Sequence, residues 1–361
     1  MNISKRTSTI FHLILLLVLL YLFFLSIQLM SHSLKLFGKD FAADLIATTS
    51  NPIVGLFIGI LTTSLIQSSS TTTSILVTLV ASGAMTIENA IPIVMGANIG
   101  TTITNILVSM AHITRGQEFK RAFAASVVHD MFNIIAVAII LPIHLFTNFL
   151  YDSATFLGKI FENIGGLKFA SPIKVITSPV IELLSKITFE NGIVTLILSL
   201  VFLFIALKYL VSTIKVLVIA KVEAVFDKVI FKNAAIAMFF GFLLTAVVQS
   251  SSITTSLIVP LAGAGILTVY QIFPYTLGTN VGTTVTALMA ALATNNVSAV
   301  IVACAHFLFN ISGIIIIWPI RKIPIFLAIK FAEIGTERKV LAVTYVIAAY
   351  FLIPILLIYI F

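Results

Sequence analysis

Long apolar runs, broken at regular places by clusters of hydroxyl residues and glycines, make up most of this chain. Residues 10–30 form one such run behind Lys5 and Arg6, and others cover roughly 119–146, 193–220, 298–320 and 340–361. Each is close to the roughly 20 apolar residues that cross a bilayer as a helix, so each is predicted as a transmembrane helix. The first run is longer than the apolar region of a signal peptide, and no small-residue cleavage site is evident. It is therefore expected to remain as the first helix of the protein. Residues 51–85 and 234–267 differ in carrying a polar block at their centre, and residues 87–111 and 271–293 are interrupted by Gly and Pro.

These segments recur in the same order. The 46 residues from Gly59 align without a gap on those from Gly241, at an offset of 182, with 21 identities. HDMFN at 129–133 matches HFLFN at 306–310 at an offset of 177, and Pro142 and Pro319 keep that second offset. Each unit then reads as a leading helix, a segment split by its polar block, a Gly- and Pro-interrupted segment and a closing helix. The expected units are repeat 1 over 1–146, an amphipathic interfacial connection over 147–192, repeat 2 over 193–320, and a cytoplasmic connection with a final helix over 321–361.

The split segments are too short to cross. The apolar piece at 52–66 spans only about 22 Å at 1.5 Å per residue, and a hydrocarbon core is about 30 Å thick. Two short helices meeting at a polar tip point to a re-entrant hairpin surrounded by protein or a water cavity. A unit then crosses three times, or five if its hairpin crosses twice. Either number is odd, so the second unit is inverted relative to the first if 147–192 stays on one side. The expected fold class is an all-α polytopic membrane protein: two inverted repeats with re-entrant helical hairpins and broken helices.

Composition agrees with this pattern. Of 361 residues, 60% are hydrophobic and 9% charged, against about 25% charged in soluble domains. The net charge of +8 has a use other than nucleic acid, since the basic residues sit in short connections, without a basic stripe among aromatics. With the N-terminus inside, 15 of the 21 Lys and Arg fall on the inner side, including a cluster at 208–232, and 6 on the outer. That bias favours a cytoplasmic N-terminus. The single cysteine, Cys304, can form neither an intrachain disulfide nor a metal site.

Three polar constellations are candidates for chemistry. The first is the pair Gln67-Ser68-Ser69-Ser70-Thr71-Thr72-Thr73-Ser74 and Gln249-Ser250-Ser251-Ser252-Ile253-Thr254-Thr255-Ser256. One or two such hydroxyls can bond back to a helix or join two helices; two duplicated turns of them, each led by Gln, need more. Helix N-termini and serine hydroxyls supply donors that hold anions. The second is Gly96-x-Asn98-x-Gly100-Thr101-Thr102-x-Thr104, matched by Gly278-x-Asn280-x-Gly282-Thr283-Thr284-x-Thr286. Glycines that let the helix unwind would free carbonyls which, with Asn and Thr oxygens, suit a hard cation. Neither copy carries an acid, which favours a singly charged ion. The plainer reading of this motif is close helix packing at small residues. The third is His129, Asp130 and Asn133, with His306 and Asn310 in the second copy. His and Asn four apart share a helix face, though a buried His is as often a satisfied core residue. An intramembrane carboxylate is costly and usually functional; Asp130 is read either as charge for an extra cation or as a partner for Arg121 or another base. Its counterpart is Phe307. P-loop, HExxH, nucleophile-elbow and cofactor motifs are missing, so an enzyme is not expected, and an intramembrane Ser-His-Asp hydrolase is a remote third reading.

With these residues in view, the sequence resembles the type II sodium–phosphate cotransporter family. The resemblance rests on the paired QSSS motifs, on GANIGTT and on RAFAASVVHDMFN at 121–133, and covers roughly 51–146 and 234–320. It implies inverted repeats, sodium-coupled inward movement of inorganic phosphate, and a substrate site in the QSSS regions. The expected phosphate ligands are Gln67, Ser68, Ser69, Ser70, Gln249, Ser250, Ser251 and Ser252. The expected sodium ligands are Thr72, Thr73, Thr254, Thr255, Asn98, Thr101, Thr102, Asn280, Thr283, Thr284, Asp130, Asn133 and Asn310. An acid at Asp130 implies electrogenic transport. The connection at 147–192 lacks the cysteines of animal members, so their disulfide is not expected, nor is the cytoplasmic regulatory domain of many bacterial members after Phe361. The expected setting is the lipid bilayer of a plasma membrane, bacterial and inner, with a homodimer left open. The alternative is a sodium-coupled transporter or channel for another small oxyanion.

Overall fold

The computed structural model describes residues 3–163, 166–222, 231 and 233–361. In chain order the first unit contains α1 (Ile3–Leu36), α2 (Gly38–Thr48), α3 (Pro52–Ile66), α4 (Ser69–Ser82), α5 (Ile87–Gly100), α6 (Ile103–Met110) and α7 (Gly116–Thr147). Two helices, α8 (Phe149–Asn163) and α9 (Gly166–Ile187), connect it to the second unit. That unit contains α10 (Gly192–Val222), α11 (Ala234–Val248), α12 (Ser251–Ser256), α13 (Ile258–Gly263), α14 (Val269–Thr294) and α15 (Val297–Ile317). The chain ends with α16 (Lys322–Glu337), α17 (Lys339–Ile347), a π turn at Ala348–Leu352 and α18 (Ile353–Ile360).

Among the described residues there is no strand, and six helices are long and apolar enough to cross a bilayer: Ile10–Leu36, Ile87–Met110, Gly116–Thr147, Gly192–Thr213, Val297–Ile317 and Lys339–Ile360. The all-α polytopic expectation is met. The pair α2 and α3 bends by 99° across its break. Of the basic cluster at 208–232, Lys228 and Lys232 lie outside the described residues.

Local sequence signals begin and end the hairpins in the same way twice. Asn51 and Asn233, equivalent at the offset of 182, cap α3 and α11 by accepting from Ile53 N–H and Ala235 N–H. Gln67 and Gln249 then end those helices in left-handed conformation, with φ of 57° and 59°. Ser68 and Ser250 start the next helices as extended N-caps. Gly83 closes α4 at φ 81°, where a glycine costs least.

The paired glycines do not unwind the helices; they let them touch. A Cβ on Gly96 would collide with the Leu56 carbonyl, and one on Gly59 with the Ile93 carbonyl. In the second unit Gly278 lies against the Met238 carbonyl and Gly241 against the Tyr275 carbonyl. Helix α14 runs unbroken through its GTNVGTT stretch. In the first unit, Thr101 and Thr102 between α5 and α6 keep right-handed helical dihedrals. The expected release of backbone carbonyls at GxNxGTT is therefore corrected for the second unit, where the helix is continuous, while in the first the helix breaks at Thr101 and Thr102 within the motif; in both, the small residues bring α5 onto α3 and α14 onto α11.

Each closing helix also caps the other unit's hairpin. Arg121 on α7 donates Nε and Nη2 to the Gly263 carbonyl, at 2.8 and 2.6 Å, at the end of α13. Asn296, the N-cap of α15, donates Nδ2 to the Ala81 carbonyl at 3.1 Å, near the end of α4. Ala81 and Gly263 are equivalent at the offset of 182. Both bonds satisfy carbonyls that a helix end leaves open, and the Arg charge complements the negative end of the second hairpin.

The stretch at 321–339 folds as a helix instead of a plain connection. Helix α16 buries Pro324, Ile325, Ala328, Ala332 and Gly335 and lies on α7, where Phe331 packs on Phe123 and Lys120 pairs with Glu333 at 3.0 Å. Hydrogen bonds from Lys330 and Lys120 hold the Glu333 carboxyl below its ordinary range. This helix seats the final one, which packs on α3 and sends Tyr350 into the core.

Gly96→Ala and Gly278→Ala are each expected to cost about 1–3 kcal/mol or more through overpacking against backbone, which cannot move aside as a side chain does. Thermal unfolding of the detergent-solubilised protein measures it: midpoints within a degree of the parent would show that the helices are not in backbone contact.

Candidate functional site

The two polar blocks come together at one place. Each tip is a left-handed Gln followed by a Ser N-cap, whose Oγ accepts from the N–H three residues on: Thr71 to Ser68 at 3.2 Å and Ile253 to Ser250 at 3.4 Å. The tips touch directly, with Ser70 Oγ donating to the Gln249 carbonyl at 3.0 Å. Beside this contact lies a cavity of about 330 Å³ lined by Gln67, Ser68, Ser70, Gln249, Ser250 and Ser252, with Thr71, Thr104 and Ile253. Two N-terminal helix ends thus open onto one space, where free N–H groups and serine hydroxyls favour negative charge. Ser69 and Ser251, expected with the others, are buried and do not line this cavity.

The threonines of the blocks face inward and brace the hairpins. Thr72 is bonded to Thr63 at 3.0 Å, and its equivalent Thr254 to Thr245 at 2.8 Å. Thr73 donates to the Ser69 carbonyl at 2.8 Å. Thr255 donates to Asn105 Oδ1 at 2.7 Å, which ties the second hairpin to α6 of the first unit. None of the four lines the cavity.

Behind the tips the two units meet in a buried amide network. Asn133 Nδ2 donates to the Asn98 carbonyl and Asn280 Nδ2 to Asn133 Oδ1, each at 2.8 Å. His129 Nε2 lies 2.6 Å from Asn280 Oδ1; with the amide nitrogen committed to Asn133, the His must be the donor. The other side is not joined this way. Asn98 Nδ2 and Asn310 Nδ2 each return to their own helix, at the Val94 and His306 carbonyls. Asn310 Oδ1 and His306 Nδ1 are buried without a hydrogen-bond partner. Thr101, Thr283 and Thr284 donate to the Ala97, Asn280 and Val281 carbonyls of their own helices.

Asp130 is fully buried and does not pair with Arg121, which is engaged at Gly263. Its carboxylate instead accepts from Thr102 at 2.9 Å and from Tyr345, so pairing with that base is corrected: Arg121 lies two turns away along α7 and points to another helix end. Among the described residues no three His, Cys, Asp or Glu side chains gather as a metal site. The donors available are hydroxyl, amide and carbonyl oxygens with this one carboxylate, a set suited to hard cations.

Several site residues were missed in the sequence. Lys208, on α10, lines the cavity and is exposed; it lies outside both motifs, and only topology brings it there. Asn105, one residue past the GxNxGTTxT motif, lies on the short helix α6. Tyr345 and Tyr350 look like ordinary aromatics of a final transmembrane helix.

Comparison with known proteins gives the same picture. Residues 22–178 and 201–318 match the Na+/Pi-cotransporter family. The chain is 32% identical to sodium-dependent phosphate transport protein 2A of Ovis aries, over 98% of this chain and 68% of that protein. It is 33% identical to protein 2A of Rattus norvegicus, over 93% of this chain and 65% of that one. It is also 33% identical to sodium-dependent phosphate transport protein 2B of Homo sapiens, over 95% and 64%. The chain thus spans about two thirds of the length of these relatives. No solved structure matches it significantly.

Removing the amide that bridges the units leaves the Asn98 carbonyl and Asn280 Nδ2 without partners. Asn133→Ala is expected to cost about 1–3 kcal/mol, and Asn280→Ala a similar amount. The double variant is expected to fall short of the sum. Additive losses of thermal stability would mean that the two side chains do not interact.

Proposed function

This chain belongs to the Na+/Pi-cotransporter family, a family of membrane transporters and not of enzymes, and from that premise we propose that it imports inorganic phosphate with sodium. The observation that carries the reading is the single cavity onto which both QSSS helix ends open. A phosphate there meets N–H and O–H donors from two sides, with Ser68, Ser70, Ser250, Ser252, Gln67 and Gln249 as its ligands and Ser69 and Ser251 supplying backbone N–H groups. Lys208 at the wall contributes attraction, not a full counter-charge, because it is exposed and screened.

Sodium supplies the remaining charge. A multiply charged anion in a site of low dielectric is expensive on its own, so the anion binds well only when cations bind with it, and this is the coupling. The cation ligands proposed are Asp130, Asn133, Asn98, Asn280 and Asn310, with Thr101, Thr102, Thr283 and Thr284 around them and Thr72, Thr73, Thr254 and Thr255 beneath the tips. Asn310 Oδ1, buried and unpartnered, is an acceptor that a cation would satisfy. The carboxylate of Asp130 adds one negative charge to the binding sites and makes the cycle electrogenic. Inverted repeats, with one repeat-built unit moving against a fixed scaffold, give alternating access. The setting is a bacterial inner membrane with the N-terminus in the cytoplasm. A transporter of another small oxyanion is the second reading, since nothing in hydroxyl and N–H donors rejects a tetrahedral anion of similar charge.

Labelled phosphate uptake into proteoliposomes is expected to require an inward sodium gradient and to rise with a negative interior. Asp130→Gly is expected to remove the voltage dependence. Uptake that proceeds equally with potassium, or is absent for phosphate and present for another oxyanion, would overturn the reading. Lys208→Gln is expected to raise half-saturating phosphate about two- to fivefold, the scale of an exposed charge interaction, with a smaller effect at high salt.

A further inference from the structure

Asp130 marks the largest departure from symmetry between the two units, since its counterpart is Phe307. The hydrogen bonds that reach its carboxylate come from hydroxyls. Thr102 Oγ1 lies 2.9 Å from Oδ1, and Tyr345 donates to Oδ2. Tyr350 OH lies 2.5 Å from Thr102 Oγ1. The Tyr345 and Tyr350 rings meet edge to face at 6.1 Å, and Phe331 of α16 packs edge-on against Tyr345 at 4.7 Å. The acids in ion pairs among the described residues are Glu118 and Glu333, so hydroxyls alone hold this buried carboxylate.

Both tyrosines come from the final helix, which belongs to neither repeat. They are five residues apart, and on a regular α-helix that spacing separates side chains by about 140°. A π turn at Ala348–Leu352, which follows the helix that carries Tyr345, contains Tyr350, and its wider turn reduces that separation. The π turn thus helps one helix present two hydroxyls to one site.

We propose that Tyr345 and Tyr350 are positioning residues that hold Asp130 in a cation-free form. Tyr345 fills a carboxylate position that a sodium ion takes, and Tyr350 orients Thr102 toward the other. A cation that reaches Asp130 displaces the Tyr345 hydroxyl and shifts the final helix at its π turn. The final helix is then the element that registers occupancy of this one cation site. The inference rests on Asp130 being a sodium ligand.

The test measures half-saturating sodium and half-saturating phosphate for the full chain in proteoliposomes. Tyr345→Phe is expected to lower half-saturating sodium about tenfold, the scale of a hydrogen bond to a charged group, with half-saturating phosphate at saturating sodium unchanged. Tyr350→Phe is expected to shift it the same way and less. In an Asp130→Asn background, Tyr345→Phe is expected to have no further effect. Unchanged or weaker sodium affinity in Tyr345→Phe, or the same shift in the Asp130→Asn background, overturns the proposal. Sodium-induced thermal stabilisation of the purified variants reads the same affinities without transport, so a variant that folds but does not transport still decides the matter. A parent protein that takes up phosphate without sodium would overturn the coupling reading instead.

Discussion

Inside a bilayer every polar group must find its partner within the protein, and two blocks of eight residues, seven polar in one of them and all in the other, make that demand acute here. The fold answers it by placing the blocks tip to tip. Threonines on the inward faces bond to their own hairpins, serines at the N-caps take the first open N–H groups, and Ser70 reaches across to the opposite tip. Between the tips lies one cavity lined by glutamines and serines of both blocks. The same constraint explains why the closing helices cap the hairpins' far ends at Gly263 and Ala81.

Holding two short hairpins together at this depth requires backbone-to-backbone contact, because no hydrophobic force draws helices together in lipid. The glycine pairs Gly59 with Gly96 and Gly241 with Gly278 provide it, with carbonyls where side chains would stand. The arrangement lays α5 and α14 along the hairpins. At the interface between the units the Asn98 carbonyl, the Asn133 and Asn280 side chains and His129 form one hydrogen-bonded chain.

The two units are similar without being identical, and their differences fall at polar groups. Arg121 caps one hairpin with a charge and Asn296 caps the other with an amide. The amide network is joined around Asn133 and unjoined around Asn310. Asp130 faces hydroxyls of a helix outside the repeat, while Phe307 replaces it in the second unit.

Much was legible along the chain: the membrane class from composition, the helix segments from apolar length, the duplication from a gap-free offset, and the two QSSS blocks as the places where the apolar segments break. Period and length are local properties, so they are legible along a chain. The placement of Lys208 at the cavity, of Tyr345 and Tyr350 at Asp130, of Asn105 under the second hairpin, and of Arg121 at Gly263 was decided only by the tertiary structure. So was the use of the glycines, for which unwinding and close packing were both open in the sequence; the partner helix settled it. Each of these depends on which helix lies beside which. That choice follows from packing among segments far apart in sequence, and apolar segments of similar composition carry no local record of their neighbours.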